Sequence, residues 1–206
     1  MGKGALVLFL SAVLSVTIFA SCKRGSLGCQ DYVKWMDNPN NGFKMTKAFE
    51  GIKYTLQYKT KEYLAIQDNK GQPLSPTSLA KGIEQYNDMC YFTLRMETFD
   101  KAHDPLTVKI VSEDEYHQRN TYFSYQFQNE LKVLVNTDTV NCGLFSMVNN
   151  YGLAPYVDFV LGFPLKSDKV SDDLVFLLDD KTFNNGIVKF TFKSRDINDA
   201  PKLLTN

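Results

Sequence analysis

The side chains best suited to covalent or metal chemistry in this 206-residue chain are four cysteines, Cys22, Cys29, Cys90 and Cys142, and two histidines, His103 and His117. Such groups act only in company. A nucleophile needs a base within hydrogen-bond reach, and a zinc site needs three or four converging ligands. His103 stands in FDKAHDPL with Asp100 and Asp104, and His117 lies one turn after Glu113. That spacing gives two separated His–carboxylate pairs, which read as solvated residues. There is no GxSxG stretch, no glycine-rich phosphate cradle and no calcium-loop spacing, since DNKGQ has Asp68 as its one carboxylate. The expectation is no catalytic residue assigned, no metal and no cofactor.

Acid pairs are the next candidates. Glycoside chemistry needs two carboxyl groups facing each other at roughly 5–9.5 Å. Asp172–Asp173 and Asp179–Asp180 are adjacent in sequence, and neighbours on a strand point to opposite faces. They read as strand-end residues capping turns. A hydrolase whose acids are scattered in sequence stays open as an alternative function. Cys90 and Cys142 both lie in strand-like apolar runs and are the candidate disulfide, but two buried small hydrophobes is the preferred reading, because sequence does not fix the pairing geometry. Tyr54 and Tyr58 share one segment with Tyr63, and Tyr151 and Tyr156 flank the turn in NNYGLAPY. An exposed tyrosine offers a large face with a polar tip for sugar or protein contacts. Tyr54, Tyr58, Tyr151 and Tyr156 are therefore a candidate binding surface, against the plainer reading that they half-fill sheet edges.

The elements that must carry these residues are mostly strands. GIKYTLQYK (51–59) alternates Ile52, Tyr54, Leu56 and Tyr58 with polar residues, the period of a half-buried strand. CYFTLRM (90–96), LTVKIV (106–111), LKVLVN, GLFSMV, YVDFVLGF, LVFLL and GIVKFTF read likewise, separated by turn clusters such as DDKTFNNG. Residues 62–67 form a short helix or a strand, and 78–87 a helix capped by Ser78. Ser112 with Glu115 forms a capping box that opens a helix over 113–129, whose many aromatics imply burial on more than one side. With 15 Phe and 11 Tyr there is material for a real core. Lys plus Arg and Asp plus Glu balance at 23 each, so no basic field invites nucleic acid. The fold class expected is α+β, β-rich: an antiparallel sheet or sandwich with one or two helices packed on it.

Residues 4–21 carry no charge and follow Lys3, the layout of a secretory signal at the lower edge of the roughly 17–25 residues that span a bilayer. The run ends in FASC, where Ala20, Ser21 and Cys22 match the lipobox of bacterial lipoproteins and Phe19 stands in place of the usual Leu. The chain resembles that family. The resemblance implies that Cys22 receives a diacylglycerol and becomes the first mature residue, with Lys23 and Arg24 at the headgroup surface. The division expected is a signal peptide over 1–21, a lipidated Cys and tether over 22–47, and one β-rich domain over 48–206, with Trp35 docking the tether's end. NPNNG, NNYGLAPYVDFVLGF and NNGIVKFTF are similar to uncharacterised lipoproteins of the Bacteroidota envelope. In that setting DTV (138–140) resembles an O-glycosylation acceptor, with Thr139 as the candidate site.

These resemblances imply a body in the periplasm or on the cell surface, attached through lipid to a membrane, the outer one being expected. They carry no activity. The function expected is a non-enzymatic binding or structural module for an envelope protein or a glycan. Beside the hydrolase stands a third reading, a small-ligand carrier with an apolar cavity between sheet and helix 113–129.

Overall fold

Ile52, Tyr54, Leu56 and Tyr58 are the inward row of a strand in the computed structural model, which describes residues 25–101, 103–148, 150, 154–165 and 171–205. In chain order the described residues form α1 (Cys29–Asp37), β1 (Lys44–Phe49), β2 (Ile52–Lys59), α2 (Lys61–Asp68), α3 (Pro76–Glu84), β3 (Cys90–Thr98) and α4 (Glu113–Thr121). There follow β4 (Leu131–Val135), β5 (Asp138–Asn141), β6 (Leu144–Val148), β7 (Tyr156–Phe163), β8 (Leu174–Asp180), β9 (Gly186–Phe192) and α5 (Ser194–Asn198). The strands make two sheets, β1-β2-β3-β7-β6 and β5-β4-β8-β9, and every pairing is antiparallel. The fold is α+β and β-rich, with more helices than the one or two expected.

The two sheets share a core of aromatic rings. Phe92 of β3 meets Phe163 of its own sheet at 5.7 Å between centroids, and Phe176 and Phe192 of the other sheet at 5.6 and 5.5 Å. Each fully buried ring of this size contributes roughly 1.5–3 kcal/mol by leaving water, and tilted or edge-on pairs add about 0.5–1.5 kcal/mol. No helix among the described residues is long and apolar enough to cross a membrane.

The boundary drawn at residue 47 is corrected. Cys29, Tyr32 and Met36, three and four apart, form the buried stripe of α1. The Tyr32 hydroxyl and Thr60 Oγ1 are 2.8 Å apart, which fastens the helix to the start of α2. Trp35 does dock, against Phe43 at 5.2 Å, but from inside a helix rather than from the end of a tether. The NPNNG cluster is a compact reversal: Asn38 accepts from the Asn40 amide at 3.1 Å, and Gly42 takes the left-handed φ of 81°. Folded structure begins by Leu27, which forms an isolated parallel bridge with Leu203.

Other expectations shift as well. LTVKIV is not a strand: Thr107 and Ile110 amides bond the Asp104 and Thr107 carbonyls, Lys109 has a positive φ of 56°, and the segment is a run of turns. Residues 62–67 resolve as helix α2. The cap of α3 is Ser75, not Ser78, and it accepts from the Ser78 amide at 3.2 Å. Ser112 caps α4 through the Glu115 amide, while the Glu115 carboxylate reaches back to the Val111 amide. The helix expected to run to 129 stops at Thr121. It passes into a π-helical turn (Tyr122–Gln126) and then a 3-10 turn (Phe127–Glu130). The wider turn brings Phe123 and Phe127 together at 5.0 Å in the core and leaves Tyr125 in solvent. Burial is thus confined to one side.

Candidate functional site

The inward row of β2 determines its outward row: Lys53, Thr55, Gln57 and Lys59. On β3 the outward residues are Tyr91, Thr93, Arg95 and Glu97, and on β7 they include Asp158. Register then aligns them across the sheet. Lys44 sits opposite Gln57 and Gln57 opposite Thr93; Thr55 faces Arg95, and Arg95 faces Asp158. Lys53 faces Glu97. These rows, with Gln67 of α2, line a groove of about 480 Å³ on the outer face of the five-stranded sheet.

Its polar groups are held by a defined network. The Arg95 guanidinium donates to Asp158 through Nε and Nη2, both at 2.7 Å, and its centre lies 3.6 Å from the Tyr156 ring centroid. The bidentate bond keeps Arg95 charged, raising its already high proton affinity. Lys53 pairs with Glu97. At the other end, Lys59 Nζ donates to Gln57 Oε1 at 2.8 Å, and Gln57 Nε2 donates to Asp37 Oδ1 at 2.8 Å. The Tyr63 hydroxyl donates to the same carboxylate oxygen at 3.5 Å, and its ring lies 4.0 Å below Lys59 Nζ. The single residue Thr60 between β2 and α2 makes this possible, because it caps α2 through the Tyr63 amide.

Lys59 is 9% exposed. Burial pushes its ammonium down to about 8; Asp37 pulls it back up, Lys44 pushes it further down and Asp158 pulls it up. The groove is therefore lined by hydroxyls, amides and ammoniums beside a guanidinium and two carboxylates. Its two lining carboxylates, Glu97 and Asp158, are each engaged by a cation, so the groove does not hold an unengaged acid pair for hydrolysis.

The residues singled out by sequence fall elsewhere, with one exception. Tyr54 and Tyr58 are 0% and 3% exposed, packed between the sheets, and form no binding surface. Tyr156 is half-buried under Arg95 at the groove's edge. Tyr151 and Cys22 lie outside the described residues. Thr139 is exposed on the edge strand β5. Cys90 and Cys142 are not joined. β7 runs between the strand of one and the strand following the other, and two strand spacings of about 4.8 Å exceed the Cα separation a disulfide spans. Cys142 Sγ instead donates to the Leu144 carbonyl at 3.0 Å, and burial pushes its thiol up to about 11.

His103 contacts Asp100 at 2.9 Å and His117 contacts Glu113 at 3.5 Å, both on the surface. No group of three His, Cys, Asp or Glu among the described residues could hold a metal. Asp173 and Asp180 accept the Ser194 and Phe183 amides, so they cap turns. Beneath residues 113–129, Phe123, Phe127, Phe145 and Phe159 pack ring against ring, and the recess of about 400 Å³ beside α4 is lined by polar as well as apolar residues, among them Glu115, Arg119, Tyr122 and Lys181.

Lys44, Gln57, Lys59, Arg95 and Asp158 carry the site, and none was singled out from sequence. The alternation that placed Tyr54 and Tyr58 also places Gln57 and Lys59 on the opposite face, and that was the available signal.

No protein-family model matches the chain, and no curated protein does. A solved structure that it resembles is a DUF4426 family protein from Pseudomonas aeruginosa PAO1, at 12% identity over 73% of this chain and 91% of that one. The TM-score is 0.34, too loose a likeness to argue from.

Proposed function

We propose that this chain is a non-enzymatic binding module of the bacterial cell envelope, tied to a membrane by lipid on Cys22, and that its outer-face groove receives a hydroxyl-rich ligand of the glycan type. The observation that carries the binding role is the groove itself. Thr55, Thr93, Gln57 and Gln67 offer hydroxyls and planar amides on one concave polar surface. At about 480 Å³ the groove falls within the roughly 300–1,000 Å³ of small-molecule sites. The amide of Gln57 is already oriented by Asp37 and Lys59, which lowers the ordering cost of binding.

The full-length acylated protein in detergent, applied to an array of bacterial glycans, should retain a defined subset. A Thr55→Val/Thr93→Val variant, isosteric but without the hydroxyls, should lose it. Retention by the variant equal to wild type, or no retention by wild type, would remove the groove from the proposal. The anchor is supported by FASC and the uncharged run before it. Metabolic labelling with a palmitate analogue should mark wild type and not Cys22→Ala; label persisting in the variant would sink the anchor.

A further inference from the structure

We infer that the groove is built for an acidic sugar, a polyhydroxyl body bearing one anionic oxyacid group, with the ammoniums of Lys44 and Lys59 as the anion subsite. This rests on the groove being the binding surface.

Some cations on the sheet face already have an acid. Arg95 is consumed by Asp158 in a two-point bond, and Lys53 by Glu97. Asp37 accepts from Gln57 and Tyr63. Lys44 and Lys59 remain, and neither makes an ion pair with any described residue. Lys44 sits on β1 directly opposite Gln57, the residue to which Lys59 donates, so the two cations share one end of the groove and repel each other. An ammonium has three donors. One from Lys59 goes to Gln57 and one face of the cation rests on the Tyr63 ring, which leaves donor capacity directed away from the protein's own acceptors.

A buried ammonium lacking a counter-ion is a standing cost to the fold. An anion arriving between Lys44 and Lys59 removes both the missing partner and the repulsion. The groups facing Lys59 are Asp37 from the end of α1, Lys44 from β1, Tyr63 from α2 and Asp158 from β7. The nearer acid is already committed to Gln57. The neighbouring hydroxyls of Thr55 and Thr93 belong with a polyol rather than a bare ion, and the groove's size limits the occupant to a sugar-sized group. A carboxylate and a phosphate monoester share this chemistry, and both are point-charge partners for lysine.

The test is calorimetric titration of the full-length protein with glucuronate, glucose 6-phosphate and glucose. One or both acids should bind, with glucose weaker by about tenfold or more; whichever acid binds more tightly identifies the oxyacid. Lys59→Met should abolish the preference for the acids over glucose, bringing all three to a common level. Lys44→Gln, at a half-buried position on an edge strand, should do the same and covers the case in which the first variant misfolds. Acid affinity should also fall as pH rises past the Lys59 titration, while that of glucose holds level. Equal binding of acids and glucose overturns this inference and leaves the groove as a neutral sugar site. Absence of binding by all three overturns the inference and the groove reading together.

Discussion

Tyr54 of β2 and Asp180 at the end of β8 meet between the sheets, the phenol donating to the carboxylate, and Asn185 Nδ2 donates to both at 2.8 and 2.9 Å. Tyr54 is 0% and Asp180 1% exposed, so a buried polar cluster pins one sheet to the other inside an aromatic core. Burial first, and then Asp180, hold the Tyr54 phenol protonated far above its ordinary range. Tyr54→Phe keeps the ring and removes a donor from a buried carboxylate. We expect a loss of about 1–3 kcal/mol in urea-monitored unfolding. A loss below about 0.5 kcal/mol would mean that the carboxylate has found another partner.

Lys59 should oppose stability. Its folded-state value, about 8, lies below that of an unfolded lysine, so between those values the unfolded chain binds more protons than the folded one. Stability from this group is lowest below about pH 8 and rises with pH up to the ordinary lysine range. Lys59→Met should raise stability at neutral pH by something on the order of 2 kcal/mol and flatten that rise. The difference between wild-type and variant denaturation midpoints, followed from neutral to strongly alkaline pH, measures it. A variant less stable than wild type would contradict the picture of an uncompensated charge.

The Arg95–Asp158 bond would keep a third cation from the proposed acidic sugar. Asp158→Asn should free it, strengthening acidic-sugar binding several-fold in titration. The Arg95 and Asp158 side chains are 41% and 18% exposed, so the stability loss should stay under about 1 kcal/mol. Unchanged or weaker acid binding would place Arg95 outside the ligand's reach.

Gly82 allows α3 to lie on α2. A Cβ there would stand 2.8 Å from the Ala65 Cβ, which sits on a helix and cannot swing away. Gly82→Ala should cost about 1–3 kcal/mol. Hydrogen exchange should show the loss concentrated in α3, none of whose residues is buried; uniform acceleration across both sheets would refute a local contact.

Period-two patterns were the legible part of the fold. Ile52 to Tyr58 and Cys90 to Met96 carry enough alternation to fix which residues share a face, and Ser112 with Glu115 marks a helix start by its own chemistry. Alternation puts Tyr54 and Tyr58 in the apolar row with Ile52 and Leu56, opposite Lys53, Thr55, Gln57 and Lys59; they were misplaced because a tyrosine's large ring and polar tip suit a contact surface as well as a core. LTVKIV has the composition of a strand, yet the bonds of Asp104 and the positive φ of Lys109 curl it into turns. Residues 29–47 were hidden behind NPNNG, because a dense turn cluster looks the same in a linker and between two packed elements. The groove was beyond sequence for a different reason. It depends on register, which brings Arg95 opposite Asp158, and on a helix-end carboxylate, Asp37, that reaches Gln57 from another layer.

The Leu27–Leu203 bridge draws both ends of the folded body to one spot. With acyl chains on Cys22, the run from there to Leu27 could stretch no further than about 18 Å. Such a short leash would moor the body against the headgroups instead of letting it roam the space beyond. A bulky fluorescent fusion after Leu204 would then be wedged beside the bilayer, whereas a spacer inserted ahead of Leu27 would lift the whole body free.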